Sequence, residues 1–194
     1  MEKKNGVVFV RGELVYLRPP TDGDIPLFLK WFNDEEVRRY IKGTFPMMEA
    51  EEIEWLRELH KKKNEHIVFV IVEAKTNTAI GTIGLHRINW KDRRATTGTV
   101  IGEKDFWGRG YGSEAKMLLL NYAFNTLNLR KICSIVYGFN KRSQAYNRKC
   151  GYRAEGVFKS HVFKNGKYCD EVHMAMFKKD WLPIWKRFKK AGCV

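Results

Sequence analysis

Apolar residues recur along the chain in two different spacings, which predict a group of helices and then a group of strands. Early in the chain they recur every three or four positions, as in Ile25, Phe28 and Phe32. That spacing places them on one face of a helix. The first part is predicted to hold two short strands, 7–10 and 14–17, and three helices: one capped by Thr21 or Asp22, one through Val37 and Ile41, and one over 48–63.

From residue 66 onward, short β-branched runs predict strands. Runs 66–73, 79–88 and 95–102 follow one another across turn-forming residues and predict an antiparallel meander. The remaining predicted elements are a helix after residue 112, a strand over 129–136, a helix over 141–149, a hairpin about Asn165-Gly166 and a basic helix over about 180–190. We expect a single mixed α+β domain spanning 1–194, with the aromatic side of the last helix packed back onto it.

Composition excludes several classes of protein. The 194 residues are 44% hydrophobic and 30% charged, which suits a folded chain with a core and excludes wholesale disorder. No apolar run is long enough for a bilayer, and the first six residues lack a signal peptide's apolar stretch, so the cytoplasm is the expected compartment. The cysteines show no metal-ligand spacing and are expected to be free thiols, with no metal site: Cys133, Cys150, Cys169 and Cys193.

The net charge of +14 is distributed unevenly. Residues 1–60 hold 9 basic and 12 acidic side chains, whereas residues 61–194 hold 27 and 10. This excess favours an anionic partner for the second part, either a phosphorylated cofactor or nucleic acid. The chain has no aromatic-basic RNA motif and no zinc finger, so nucleic acid is the less favoured partner. A lysine-rich solvated surface is the plain alternative.

A glycine-rich turn, Gly108-Arg109-Gly110-Tyr111-Gly112, lies between a predicted strand and a strongly predicted helix. Glycines let backbone N–H groups converge, and the helix start adds unpaired N–H groups and the positive end of its dipole. Such a turn binds phosphate or pyrophosphate. The chain lacks the Lys-Ser or Lys-Thr of a P-loop, and it lacks the glycine spacing of a dinucleotide-binding βαβ unit.

Two motifs together resemble the GCN5-related N-acetyltransferase (GNAT) family, in particular its RimJ/RimL-type branch, which includes spermidine and ribosomal-protein N-acetyltransferases. The first is Trp107 to Ala115, and the second is Asn140 to Ser143 followed by 149–152 and Glu155-Gly156. The resemblance covers about residues 14–181. It implies a three-layer α/β/α fold whose mixed, mostly antiparallel sheet has a splayed central strand pair that holds acetyl-CoA.

The resemblance also implies which residues bind acetyl-CoA, the expected co-substrate. Backbone groups of Val100 to Gly102 are expected to bind its pantetheine arm, and an N–H there is expected to stabilise the oxyanion. Asn140 is expected to bind the arm from the other side. The full predicted cofactor-binding set is Val100, Ile101, Gly102, Trp107, Gly108, Arg109, Gly110, Tyr111, Gly112, Ser113, Asn140 and Ser143.

The chain departs from the family pattern at two catalytic positions. Many relatives have Glu early on the strand that corresponds to the predicted run 95–102, where this chain has Thr96. Many have Tyr four residues before the helix-ending glycine, where it has Asn147. The candidate catalytic residues are Asn147 as a donor to sulfur, its neighbour Tyr146, and His86 as a base. Structural packing of His86 and Tyr146, and proton loss through water alone, are the open alternatives.

The resemblance also implies that the first helices line the acceptor site. Residues 34–58 carry eight acids and four bases, which suits a cationic amine, although such a charge run on a helix is usually just its solvated face. The candidate substrate-binding residues are Trp31, Asn33 and Asp170, with core packing of Trp31 and hairpin support by Asp170 as alternatives.

The predicted function is acetyl transfer from acetyl-CoA to a primary amine: a protein N-terminus, a polyamine or another small amine. A homodimer is one option for its assembly, and neither a membrane nor nucleic acid is an expected partner. The alternatives are a CoA-binding module without catalysis and a basic nucleic-acid-binding protein.

Overall fold

The computed structural model describes residues 7–190, so the predictions about the first six residues and Cys193 lie outside it. One eight-stranded sheet has the order β1-β2-β3-β4-β5-β6-β8-β7. Its strands are β1 (Val10–Arg11), β2 (Val15–Arg18), β3 (Ile67–Glu73), β4 (Ala79–Asn89), β5 (Arg94–Ile101), β6 (Lys131–Tyr137), β7 (Arg153–Lys164) and β8 (Lys167–Phe177). The helices are α1 (Ile25–Asn33), α2 (Glu35–Arg38), α3 (Glu49–Leu59), α4 (Tyr111–Asn121), α5 (Lys141–Lys149) and α6 (Lys178–Lys190).

The centre of the sheet is split between β5 and β6. These strands form its one parallel pair in the described residues, and their pairing ends at Thr96 and Cys133. Each strand continues beyond that point while pairing only with its outer neighbour, β5 with β4 and β6 with β8. The predicted splayed central pair in a mostly antiparallel sheet is confirmed.

Helices cover both faces of the sheet. Alternate residues of β2 and β3 point to opposite sides, and each side carries apolar residues that need cover. Leu17 and Ile71 belong to a large core that includes Leu118 of α4. Tyr16 lies in a second core that includes Phe28 of α1. The two cores confirm the predicted three-layer α/β/α arrangement.

Three elements are shorter than their patterns predict. α2 ends at Arg38 and not at Ile41, and β1 at the sheet edge spans two residues instead of four. α3 ends at Leu59, four residues before its predicted end. The chain continues with three successive lysines, 61–63, which offer the helix no further apolar position to bury.

The C-terminal helix packs onto the domain. Trp181 of α6 is fully buried, with its ring centroid 5.3 Å from that of Phe124. Trp185 and Phe188 extend this stack along the same side of the helix. The predicted packing of the aromatic side is therefore observed. Between residues 7 and 190, no helix combines the length and the apolar character that a membrane span needs.

Candidate active site

A cavity of about 650 Å³ opens where β5 and β6 separate. β5 lines it with residues 96–101 and β6 with residues 134–137, while the starts of α4 and α5 lie at its rim. Its position follows from the pairing, because β5 and β6 stop pairing with each other at Thr96 and Cys133 and leave a gap beyond that point. The volume lies in the range of small-molecule sites.

The glycine-rich turn presents backbone N–H groups at one end of the cavity. Gly108 and Gly110 have φ angles of +78° and +93°, a region that favours glycine. Gly110 accepts hydrogen bonds from the N–H groups of Ser113 and Glu114, so α4 begins directly behind the turn. Within residues 7–190, the N–H groups of Gly110, which lines the cavity, and of its neighbour Arg109 donate to no acceptor. These groups and the first turn of α4 suit an anion.

Interlocking contacts fix the turn against β5 and α5. Trp107 Nε1 donates to the Ile101 carbonyl at 2.7 Å, and the Arg142 guanidinium lies 4.0 Å from the centroid of a Trp107 ring. Asn140 caps α5, because its Oδ1 accepts the N–H of Ser143 at 3.0 Å. The cap and the stack hold the cationic side chain of Arg142 against Trp107, the residue before the turn.

The structure brings nine of the twelve predicted cofactor-binding residues to the cavity: Val100, Ile101, Trp107, Gly108, Gly110, Gly112, Ser113, Asn140 and Ser143. Gly102, Arg109 and Tyr111 do not line it. The Gly102 N–H donates to the Ile80 carbonyl at 2.8 Å, and Tyr111 packs edge-on against Phe106.

All three candidate catalytic residues line the cavity. The Nδ1 atoms of His86 and His66 lie 3.4 Å apart. Burial, and then the charges of His66 and Arg87, lower the pKa of His86 to about 4. His86 is therefore a neutral imidazole of low basicity at pH 7.

Tyr146 and Asn147 are held by hydrogen bonds within the site. The Tyr146 hydroxyl donates to Thr99 Oγ1 at 3.1 Å, and burial raises the pKa of Tyr146 well above its ordinary value. Asn147 Nδ2 donates to the Ser143 carbonyl at 2.8 Å, within α5 itself. The Asn147 oxygen faces the other way and accepts from Lys116 Nζ at 2.9 Å.

Two buried charges in the cavity wall, Lys116 and Glu171, were not among the sequence candidates. Lys116 is 1% exposed, and its only sequence signal is a lysine inside the buried run of α4. Glu171 is 4% exposed and lies 2.9 Å from both Lys42 Nζ and His173 Nε2. Burial alone would raise the pKa of Glu171, but these two hydrogen bonds lower it overall.

The three predicted substrate-binding residues are not among the residues that line the cavity. Trp31 is 1% exposed in the second core and donates to Glu103 at 2.8 Å. Asn33 bonds the backbone of Met47 and ties the end of α1 to the loop before α3. Asp170 bonds Lys159 and Ser160, which fixes the β7–β8 hairpin.

The donor set of the cavity fits a long anionic ligand such as acetyl-CoA. Free N–H groups and Arg142 suit a diphosphate, and the open edges of β5 and β6 suit an extended arm. Glu171 is the one carboxylate among the described lining residues. Across residues 7–190, His, Cys, Asp and Glu nowhere form a group of three that a metal ion would need.

Comparison with known proteins agrees with this geometry. Residues 15–153 match the family model described as an acetyltransferase (GNAT) domain. The chain is similar to an uncharacterized N-acetyltransferase, YoaA, of Bacillus subtilis strain 168, with 32% identity over 154 residues, 77% of this chain and 85% of that protein. It is also similar to spermidine N(1)-acetyltransferase of Escherichia coli K12, with 30% identity over 168 residues, 87% of this chain and 88% of that protein.

A solved structure of an N-acetyltransferase is also similar to this chain. The spermidine N-acetyltransferase of Vibrio cholerae, in complex with CoA and spermine, superposes with a TM-score of 0.80 and 27% identity. The match covers 87% of this chain and 98% of that one. The chain therefore belongs to the GNAT family of acetyltransferases and transfers an acetyl group from acetyl-CoA to an amine.

Proposed function

We propose that the acceptor is a primary aliphatic amine that carries a further positive charge, of the polyamine class, and that Glu171 receives one of its ammonium groups. The observation that carries this proposal is the contact between Lys42 and Glu171. Lys42 Nζ, itself a primary ammonium, lies 2.9 Å from the buried Glu171 carboxylate at the cavity wall.

The exposure of the two partners supports exchange of one ammonium for another. The Glu171 side chain is 5% exposed, whereas that of Lys42 is 59% exposed. A buried carboxylate requires a cationic or hydrogen-bonding partner, but an exposed lysine is free to leave for water. An amine substrate that enters the cavity therefore replaces Lys42 without leaving a bare buried charge.

The walls beside Glu171 support an alkyl amine. Tyr40, Ile41 and Tyr137 line this part of the cavity, and the Tyr137 hydroxyl donates to the Ile41 carbonyl at 3.3 Å. Aromatic and aliphatic surfaces accommodate methylene groups between charges. The names of the Escherichia coli and Vibrio cholerae relatives, both spermidine acetyltransferases, point to the same class of acceptor.

Thiol release from acetyl-CoA with a panel of amines tests the proposal. The panel holds spermidine, spermine, the monoamine butylamine and short peptides with a free N-terminus. We expect the highest kcat/KM with the polyamines. Turnover of the peptides without turnover of polyamines would contradict the proposal, and CoA binding without turnover of any amine would favour the non-catalytic module.

Two neighbouring carboxylates provide a matched test of the acceptor site. Glu171→Gln should raise KM for spermidine about 10- to 100-fold, the range of a lost hydrogen bond to a charged group, with CoA affinity unchanged. Asp170→Asn is the control, because Asp170 bonds Lys159 and Ser160 outside the cavity. Equal effects of the two substitutions, or no effect of the first, would rule out Glu171 as the ammonium site.

A homodimer and a cytoplasmic location stay predictions. β7 is a long edge strand that exposes Phe158 and Phe163, so it is the surface where we expect a second copy to pair. Light scattering of the purified chain measures the assembly directly.

A further inference from the structure

Lys116 is a deeply buried cation within α4. It is 1% exposed, yet its side chain forms part of the cavity wall. In the part of the chain that the structure describes, no carboxylate pairs with its ammonium; its side-chain hydrogen bonds go to neutral oxygens. Because buried lysines rarely lack an anionic partner, the position points to a role for the proton that Lys116 carries.

Four neighbours hold this ammonium without neutralising it. Nζ lies 2.9 Å from Asn147 Oδ1 and 3.1 Å from Thr97 Oγ1. The rings of Tyr146 and Tyr152 face it at centroid distances of 4.7 and 4.8 Å. Neutral oxygens and aromatic faces attract a cation, but they bind its proton less tightly than a carboxylate partner would.

The titratable groups that face Lys116 do not compete for its proton. They are Tyr146, Cys150 and Tyr152, and burial raises the pKa of each, that of Cys150 to about 11. For Lys116, burial acts in the opposite direction and lowers the pKa to about 8, against an opposing effect of Cys150. Of these four groups, only Lys116 titrates near neutral pH.

The two residues of α5 that contact Lys116, Tyr146 and Asn147, are not suitable acids. Asn147 is an amide with no proton to give at neutral pH. The Tyr146 hydroxyl donates to Thr99, and its raised pKa makes it a weaker acid than an ordinary tyrosine. Lys116 therefore supplies, from α4, an acidic N–H that α5 lacks.

We propose that Lys116 is the catalytic proton donor of acetyl transfer, and that Asn147 and Thr97 position its Nζ. Lys116 gives one proton to the thioester sulfur as the carbon–sulfur bond breaks and the acceptor nitrogen bonds to the acetyl carbon. The electron pair of the broken bond stays on sulfur, which leaves as the thiol. The acceptor nitrogen releases one proton to water. Lys116, now a neutral amine, takes up a proton from that water. The proposal rests on acetyl transfer alone and not on the identity of the acceptor.

Lys116→Met is the first test, since methionine fills similar space without a buried charge. We expect kcat to fall about 100-fold or more, as is typical for loss of a general acid, with CoA affinity by calorimetry unchanged. Wild-type kcat should decline above pH 8, where Lys116 loses its proton, and the variant should lack this decline. The control is Lys131→Met, because Lys131 also faces a ring, that of Phe177, but pairs with Glu155 outside the cavity.

Asn147→Asp is the second test and preserves the size of the residue. A carboxylate beside Nζ raises the pKa of Lys116, so the decline of kcat should move to higher pH. ¹³C NMR of lysine-labelled protein without CoA should show a titration near pH 8, shifted upward in Asn147→Asp and absent from Lys116→Met. The proposal is overturned if Lys116→Met keeps wild-type kcat, if it loses CoA affinity instead, or if Lys116 titrates near 10.5, its ordinary pKa.

Discussion

The two ends of the cavity present different kinds of groups to a ligand. At the loop end, the groups that face the cavity are backbone N–H groups, set by the positive φ angles of Gly108 and Gly110 and by the start of α4. At the other end, the proposed acceptor site, they are side chains, Lys42 and Glu171, which lie 129 positions apart in the sequence. Glycines at a helix start can be recognised from local sequence, whereas a contact between distant side chains depends on the assembled sheet.

The largest expected effect tests the loop end. Gly110→Val places a β-branched residue at φ +93°, where non-glycine residues cost about 1–3 kcal/mol, and it turns the N–H groups away from the diphosphate. We expect CoA affinity, measured by calorimetry, to fall about 100-fold while the fold is kept.

Gly166→Val is the matched control for this substitution. Gly166 has a φ of +79° in the β7–β8 turn and open space around its Cβ position, and a Cβ at Gly110 would meet Leu14 Cδ1 at 3.7 Å, an ordinary contact. We expect a similar loss of stability with no change in CoA affinity. Equal CoA affinity in wild type and Gly110→Val would contradict the assignment of the loop.

Gly102→Ala should reduce stability and not CoA affinity, although Gly102 belongs to the same predicted cofactor-binding set as Gly110. A Cβ at this position would overlap the buried ring of Trp31. Because an overpacked core costs about 1–3 kcal/mol, urea unfolding should show a loss of that size. CoA affinity should stay near the wild-type value in the folded variant; a selective loss of CoA affinity would show that Gly102 binds the ligand directly.

His86 should make stability depend on pH. In the unfolded chain its pKa is near the ordinary 6.5, and in the folded protein it is about 4. As pH falls from 6.5 to 4, the unfolded state takes up the proton first, so the contribution to stability is complete above pH 6.5 and lost on acidification. We expect about 1 kcal/mol less stability from this group at pH 5 than at pH 7, after allowance for partial exposure. Urea unfolding of His86→Gln should show a weaker pH dependence; an identical one would exclude His86 as the cause.

The smallest expected effect tests the acceptor end. Lys42→Ala removes the ammonium that competes with the substrate for Glu171, so KM for spermidine should fall about threefold. Lys30→Ala is the control, because Lys30 is a similarly exposed lysine that pairs with Glu103 away from the main cavity. An increased KM in Lys42→Ala would show that Lys42 helps to bind the acceptor.

Local signals in the sequence predict the elements and one end of the site, whereas the three-layer fold with its splayed strand pair is what the family resemblance implies. Apolar spacing and turn residues predict the order of the elements, and the glycine-rich turn predicts where the anion-binding N–H groups lie. The contact between Lys116 and Asn147 joins α4 to α5. The two residues lie 31 positions apart in the sequence, and no local pattern indicates that they meet. The sequence leaves Trp31 open between a binding role and core packing, and the structure places it in the second core.

A crystal structure of the protein with CoA tests the central claim most directly. The account predicts the diphosphate on the backbone N–H groups of residues 108–113 and the pantetheine arm between β5 and β6. Density for CoA on another surface, or a diphosphate bound by side chains away from this loop, would contradict it.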